Sequence, residues 1–531
     1  LSAPTQTAPP AEHDEGTIRL PQPLKRKIKD GLVALSLANL CFMRVGFDLM
    51  SDKDRFFNKL PATTPMLLAL MANLFGFALL AWLVMQVLRR FSNRLLHLAV
   101  HLVFLFTLLL PVDFLRVHLT KITDYEVFMF FKQPVVMVCG LALLALIVWQ
   151  HRLVAKIAAT VVGIFSLLAI VMLAKIALVC LGVVQLQQCD NVSLPPAGPV
   201  HEGQPRVVWI IFDEMDYRVV FDQRPAGLQL PEFDRLQGQS LFATSALSPA
   251  DVTIMSMPAL ILGQRISAVS DDDTCDLSIT FADTGATTTW TGQPSVFSEA
   301  RKLGVNTALV GWYIPYDRML GSSLNFCAWY SFPLFEPARV ETFKANIWRQ
   351  IRALSGAFNT RRLFIDMLRD SLQTSVSVVT NSTYGLILLH LPPPHRPGVY
   401  LPNNGKFSVL GTSKVTGYFN NLVFADRELG AFRRAMETAG EWDKTWLILS
   451  ADHSWRESHL YDNKRDMRVP FLVKSPGANE PMTYSQPFNT ILTHNLILAI
   501  LRGEVTNQQD TVRWLDAHGT QVPPVTGGPS D

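Results

Sequence analysis

The chain is short of cysteine, of charge and of basic clusters, and each shortage excludes something. There are six cysteines in 531 residues and no C-x-x-C pair, so a thiolate zinc site is not expected. Charged residues make up only 17% of the chain and the formal net charge is +3. That is too small a surplus, with no run of Lys and Arg, to predict a nucleic-acid partner. No cleavable signal peptide is expected, because the first apolar run starts late and is long.

What the chain has is apolar residues, 49% of the total, concentrated in its first third. After a Pro-, Ala-, Thr- and acid-rich stretch at 1–23, read as a mobile tail, five apolar segments follow at 31–50, 65–88, 95–117, 128–149 and 154–186. Each approaches or exceeds the ~20 residues that a membrane span requires, and together they predict a transmembrane domain over 24–186. The first is the weakest, since it carries Arg44 and Asp48. Lys25, Arg26, Lys27 and Lys29 precede it, Arg89, Arg90 and Arg94 lie between the second and third, and Arg152 and Lys156 between the fourth and fifth. The positive-inside rule makes those ends cytoplasmic and puts everything after about residue 187 outside. Arg116, His118 and Lys121 on the outer face are a mild departure. They are read as snorkelling anchors, with a lipid phosphate as the alternative.

Residues 187–204 form a Pro-containing linker. From Arg206 the texture changes to short apolar runs alternating with amphipathic stretches. Strands are predicted at 207–212, 306–311, 384–390, 445–450 and 469–473. Helices are predicted at 253–262, 295–303, 343–354, 361–371, 418–439 and 490–502. This alternation signals an α/β domain over 205–510, with a mostly parallel sheet covered by helices on both faces, and leaves 511–531 as a tail. Cys41, Cys139 and Cys180 fall in apolar segments as small hydrophobes. Of Cys189, Cys275 and Cys327, an extracytoplasmic location would let Cys275 pair with Cys327 and leave one over.

Three strand ends gather polar residues: Asp213-Glu214 after VVWIIF, His390 with His395 in LLHLPPPHRP, and Asp452-His453 in WLILSADHSW. Open α/β sheets carry their chemistry at such ends. Asp, Glu and His together suit a divalent ion such as zinc, manganese or magnesium, whereas solvated turns and a helix cap are the plainer alternatives. Thr253 begins an apolar helix that ends at Gly263. A hydroxyl there meets free backbone N–H groups able to hold phosphate oxygens, and a nearby cation would favour its alkoxide; capping alone would also explain it. Ser256, one turn on, is the reserve nucleophile. Gly311-Trp312-Tyr313-Ile314-Pro315-Tyr316-Asp317-Arg318 is a candidate cleft lining, although such aromatics are more often core. Asp271-Asp272-Asp273 reads as a solvated loop.

Strand-Asp-Glu, Thr at a helix start, His-x(4)-His and Ser-Ala-Asp-His followed by Arg468-Val469-Pro470-Phe471 resemble, in that order, the alkaline phosphatase/sulfatase superfamily over about 206–505. The five-span anchor resembles those of lipoteichoic acid synthases and lipid A phosphoethanolamine transferases. The resemblance implies one metal site, zinc or manganese, made by Asp213, Glu214, Thr253, Asp452 and His453, with Thr253 as both ligand and nucleophile. It implies substrate contacts from His395, His390 and His494. It further implies a transferase in a bacterial cytoplasmic membrane, taking a phosphoethanolamine- or phosphoglycerol-type group from a phospholipid to a glycan or lipid acceptor. The alternatives are a phosphodiesterase using the same site and a degenerate scaffold. No C-x-P-x-R or S-x-P-x-R follows Ser248-Pro249, so the formylglycine of true sulfatases has no source. Ser454-Trp455 replaces a glycine often found after the Asp-His pair. The three soluble cysteines are fewer than phosphoethanolamine transferases tend to carry.

Overall fold

The computed structural model describes residues 22–50, 57, 62–120, 122, 124–185, 189, 192–200, 203–271, 275–331 and 342–519. Thr64–Leu88 and Arg94–Thr120 are each long and apolar enough to cross a membrane. Three further pairs are bent: Leu24–Cys41 with Met43–Met50 by 65°, Asp124–Phe131 with Pro134–Trp149 by 87°, and His151–Ile164 with Ser166–Cys180 by 41°. The bundle therefore holds two such helices, or up to five spans when each bent pair counts as one. The sharpest bend falls where Gln133 turns extended ahead of Pro134, whose ring cannot continue the preceding helix. Polar ties inside the bundle are specific: Ser36 Oγ donates to the Val162 carbonyl (2.6 Å) and Lys175 Nζ to that of Met50 (2.9 Å).

The rest of the chain is built on an eight-stranded sheet. Its strands are β1 (Arg206–Asp213), β2 (Leu241–Ala243), β3 (Thr307–Trp312), β4 (Phe326–Tyr330), β5 (Leu386–Pro394), β6 (Thr445–Ala451), β7 (Phe471–Lys474) and β8 (Met482–Tyr484). Their spatial order is β8-β2-β7-β6-β1-β5-β3-β4. All neighbours pair in parallel except β7, which runs antiparallel to β6 and β2. Every residue of β1, β5 and β6 is buried. Alternate side chains point to opposite faces, so both faces are covered, as continuous apolar runs demand of a parallel sheet. The apolar run of β1 lies at the centre, between β6 and β5. Ile211 stands opposite Ser450 on one side and His390 on the other. The β1–β5 register shifts between Phe212 and Asp213, where β5 ends in prolines that cannot donate to the ladder.

The sequence pattern missed the short pieces. β2, β4 and β8 have three to five residues each, and a separate antiparallel sheet of Ile266–Asp271, Leu277–Phe281 and Thr287–Thr289 is rich in Ser and Thr. Its half-exposed polar strands carry too few apolar residues to show alternation. The helix expected at 361–371 runs from Ala357 to Val379, and Gln508–His518 is a helix across the boundary expected at 510. Of the expected N-terminal tail, residues 22 and 23 already begin a helix, while 1–21 lie outside the described residues. Asp272 and Asp273 lie outside them too.

One finding corrects the sequence reading. Cys275 pairs with Cys189, across 86 residues and with Cα atoms 5.5 Å apart, and not with Cys327. Cys327 is fixed in β4 opposite Leu309, whereas Cys275 sits in a turn with φ of 67° before the Leu277–Phe281 strand. The linker also is pinned to the domain. Asn306 exchanges two hydrogen bonds with the Gly198 backbone (2.8 and 2.9 Å), and Asn325 Nδ2 donates to the carbonyls of Pro195 and Pro196 (3.2 and 2.7 Å).

Non-reducing peptide mapping is expected to recover a Cys189–Cys275 cross-link. Because that bond closes a long loop, Cys189→Ser is expected to lower the stability of the α/β region by on the order of 2–4 kcal/mol, read as a fall in its denaturation midpoint. A Cys275–Cys327 peptide in its place would contradict the pairing.

Candidate active site

The carboxyl ends of β1 and β6 set two acids side by side. Asp213 is the last residue of β1, and Asp452 follows the last residue of β6, one step past the Phe212–Ala451 pair. His453 comes next, and one ligand atom from each of Asp213, Asp452 and His453 falls within a 4.8 Å group. His453 Nε2 lies 3.7 Å from Asp213 Oδ1 and 3.5 Å from Asp452 Oδ2. All three side chains are at most 1% exposed. Asp452 Oδ1 is used twice, accepting from the backbone N–H groups of Glu214 (3.1 Å) and His453 (2.7 Å). Its Oδ2 is buried with no hydrogen-bond partner. An ionised carboxylate oxygen left so in a dry interior is costly. Two buried carboxylates and an imidazole in one group fit a divalent cation.

Thr253 enters this group from a separate element. Its helix, Thr253–Leu262, has Val252 as the residue before it and no side-chain cap, so helix capping does not account for the hydroxyl. Thr253 Oγ1 instead lies 3.2 Å from His453 Nε2. Gly263 ends the helix in the left-handed conformation, φ 68°. Ser256 is not placed as a second nucleophile: its hydroxyl donates to the Ala250 carbonyl (3.0 Å) and accepts from the Ala250 N–H (3.2 Å), which fixes the loop before Thr253.

Glu214 stands outside the three-residue group. It adopts φ of 61° and its Oε1 accepts from Arg456 Nε at 3.0 Å. Burial acts to raise its carboxyl, but His395, His453 and Arg456 together outweigh burial and hold it below the usual range. The turn at Glu214 is braced by Tyr418, whose hydroxyl donates to the Glu214 carbonyl (2.8 Å) and accepts from Asp216 N–H (3.0 Å). Trp455 stacks on Tyr418 with centroids 3.8 Å apart, so the tryptophan at the expected glycine position supports this turn.

His390 and His395 lie on the β5 side. His390 is fully buried, and its Nδ1 lies 2.7 Å from the Tyr316 hydroxyl. Its Nε2 has no partner, and burial pushes its pKa down to about 4. Half-buried His395 is also lowered, by burial, with the Glu214 carboxylate opposing; its ring lies 5.2 Å from that of Trp312. The Trp312 and Tyr316 of the aromatic segment thus reach the histidines. Burial, reinforced by Asp452 and Asp213, drives the Tyr316 phenol well above its ordinary value.

His494 is not brought here. Its Nδ1 donates to the Ile261 carbonyl at 2.9 Å, at the opposite end of the Thr253 helix and, at 1.5 Å per residue, ~12 Å from Thr253. A Cβ at Gly263 would meet its ring at 2.8 Å. Its place is packing at the helix end. Arg456 and Tyr418 were missed by sequence reasoning, whereas Tyr316 lay in the segment read as a candidate cleft lining. Arg456 lies only three residues beyond His453 and carried a signal; Tyr418, on a distant helix, carried none.

A family model described as Sulfatase matches residues 205–501. No curated protein matches the chain. Solved structures with a similar fold include a protein of the alkaline phosphatase superfamily from Vibrio parahaemolyticus, 15% identical over 58% of this chain and 68% of that one, TM-score 0.38. Another is the phosphonate monoester hydrolase of Agrobacterium radiobacter, 12% identical over 56% and 74%, TM-score 0.37. A third is the lipoteichoic acid synthase LtaP from Listeria monocytogenes, 14% identical over 56% and 72%, TM-score 0.37.

His390 provides a pH test. With a folded pKa of about 4 and an unfolded value of ~6.5, the unfolded chain binds the proton first. The residue's contribution to stability is complete above about pH 6.5 and lost as pH falls towards 4. His390→Gln is expected to shrink the difference between denaturation midpoints at pH 7.5 and pH 4.5, followed by tryptophan fluorescence. An unchanged difference would mean that folding does not lower the His390 pKa.

Proposed function

The chain belongs to the sulfatase family of the alkaline phosphatase superfamily, and from that premise we propose a membrane-embedded, metal-dependent transferase. It would move a phospho-substituent, of phosphoethanolamine or phosphoglycerol type, from a phospholipid to a glycan or lipid acceptor. The observation that carries this reading is the approach of Thr253 Oγ1 to His453 beside the unsatisfied Asp452 Oδ2.

Asp213, Asp452, His453 and Thr253 would hold the cation, with Glu214 and its Arg456 partner alongside. Bound there, a divalent ion would lower the pKa of the threonine hydroxyl and offset charge on the phosphoryl oxygens. Thr253 Oγ1 attacks the donor phosphorus, a Thr–O–P bond forms, and the ester bond to the lipid glycerol breaks. The proton released by the hydroxyl balances the one taken up by the glycerol oxygen, and half-buried His395, which interacts with the Glu214 carboxylate, would be its carrier. The backbone N–H groups at the start of the Thr253 helix face the phosphoryl oxygens. An acceptor hydroxyl then takes the group, regenerating Thr253, which makes the kinetics ping-pong.

The membrane reading supports a lipid donor. We take the bent pairs as single spans, giving five, with the basic ends cytoplasmic and the catalytic domain outside a bacterial cytoplasmic membrane. The Cys189–Cys275 bond supports an oxidising side for that domain. The soluble region also docks on the bundle. The Phe343–Ala353 helix packs on Thr64–Leu88, where Gln350 accepts from Asn73 Nδ2 (2.9 Å) and donates to the Met66 carbonyl (2.9 Å). A domain held against the span in this way suits a substrate that stays in the bilayer.

Incubation of the full-length protein with membrane phospholipids, followed by peptide mass spectrometry, is expected to show a phospho-substituent on Thr253. Thr253→Ala should lose the adduct and at least about 10³-fold of turnover. Release of product without acceptor would make the enzyme a hydrolase, and an adduct-free Thr253 with full turnover would end the covalent reading.

A further inference from the structure

The Phe343–Ala353 helix lies along the Thr64 end of the Thr64–Leu88 helix. Asn73 Nδ2 donates to the Ile347 carbonyl (3.3 Å) and to Gln350 Oε1 (2.9 Å), and Gln350 Nε2 donates to the Met66 carbonyl (2.9 Å). At 1.5 Å per residue, Met66 and Asn73 lie ~3 and ~14 Å from Thr64. The Thr64–Leu88 helix has 25 residues, about 37 Å, against a hydrocarbon layer of ~30 Å. The contact therefore reaches from head-group level into the upper acyl chains. There the span leaves Leu68 and Phe75 exposed. Asn346, Gln350 and Ala353 are buried, and Ile351 and Leu354 pack against the bundle core. The other side of the Phe343–Ala353 helix is bare. Lys344, Trp348 and Arg352 are exposed and follow at intervals of four, so they form one row. Trp348 is 56% exposed and Phe343 45%, whereas Trp209, Trp290, Trp312 and Trp329 are fully buried. The helix carries Lys344, Arg349 and Arg352 and no acid.

We propose that Lys344, Trp348 and Arg352 form a docking row for the phospholipids of the bilayer, with anionic lipids preferred. That role depends on Thr64–Leu88 crossing the membrane, as proposed for the five spans, and it adds a lipid contact outside the Thr253 site. An indole is placed best at the boundary of head groups and acyl chains, where its ring is covered and its N–H stays wet. The Lys344 and Arg352 stems lie along that boundary while their charged ends rise to the lipid phosphates. Cations so placed gain from the potential of an anionic surface. The span beside the helix selects the occupant. A bilayer covers Leu68, Phe75, Phe343 and Trp348 together, in continuity with the rest of the apolar bundle. The row and the Gln350–Asn73 bond then fix the height of the α/β region above the lipid from two sides of one helix.

The test uses full-length protein in nanodiscs of mixed phosphatidylcholine and phosphatidylglycerol, with bromine carried high on the acyl chains of one lipid or the other. The Trp348 signal is the difference in fluorescence between the wild type and Trp348→Phe. Bromine is expected to quench it, about twofold more strongly from phosphatidylglycerol than from phosphatidylcholine at equal mole fraction. Lys344→Gln with Arg352→Gln, both at exposed positions, should make the two lipids equal. Trp82, in the same span, is followed in the same way through Trp82→Phe. If bromine leaves Trp82 bright, the membrane reading itself fails; if Trp82 is quenched and Trp348 is not, the docking row alone fails. A Trp348 signal shielded from aqueous acrylamide yet indifferent to bromine would assign this face to a protein, such as a second copy, and overturn the lipid contact. Equal quenching by the two lipids in the wild type, or a preference that survives loss of both cations, would overturn the phosphate contacts.

Discussion

Two buried carboxylates held side by side are the constraint on which the rest of this structure turns. Asp213 and Asp452 are both about as buried as any residue in the chain. Like charges ~4 Å apart repel by roughly 4 kcal/mol at an effective dielectric constant of 20, and burial adds to that. The fold holds them there because each sits at the end of a strand whose every residue is buried, and the β1–β6 ladder fixes their spacing. His453 and two backbone N–H groups offset part of the repulsion. The oxygen left unsatisfied on Asp452 is the gap that a cation would fill.

Around that pair, the surroundings divide the work. Glu214 is stabilised in its charged form by two histidines and Arg456, whereas burial holds the His390 pKa down. Tyr418 and Trp455 stiffen the left-handed turn at Glu214. A non-glycine residue at φ of 61° is held against its preference, so the brace has a plain purpose. The Thr253 helix is fixed at its start by the Ser256–Ala250 bonds and at its end by His494. Residues that resembled catalytic candidates thus serve instead to position Thr253.

The α/β and helical parts are coupled by buried polar contacts rather than by the linker alone. Gln350 is fully buried where it meets Asn73 and Met66. At another point Asp124 receives both Arg361 (2.8 Å) and Arg116 (2.6 Å). Arg116, expected as a snorkelling anchor, has its guanidinium taken up by Asp113 and Asp124. Breaking one partner of such a half-buried network leaves the others poorly solvated, so these contacts fix how the domain meets the bundle.

The sequence alone determined the elements with strong local signals. Continuous apolar runs marked β1, β5 and β6, and an abrupt change to Asp marked the carboxyl ends of β1 and β6, whereas His390, expected at a strand end, lies inside β5, which runs on to Pro394. Gly263 marked a helix end. The apolar segments of the first third marked the bundle, although sequence does not tell a bent helix pair from two separate elements. Long-range choices were left to tertiary structure. Cys275 had two candidate partners of equal chemistry, and only the fixing of Cys327 within β4 decided between them. Ser256 and Thr253 share a helix, yet the loop at Ala250 takes one hydroxyl and His453 meets the other. His494 matched a ligand type but lies at the wrong end of that helix. Tyr316, Tyr418 and Arg456 became part of the site because strand register and helix packing brought them there, and residue identity carries no record of such distances.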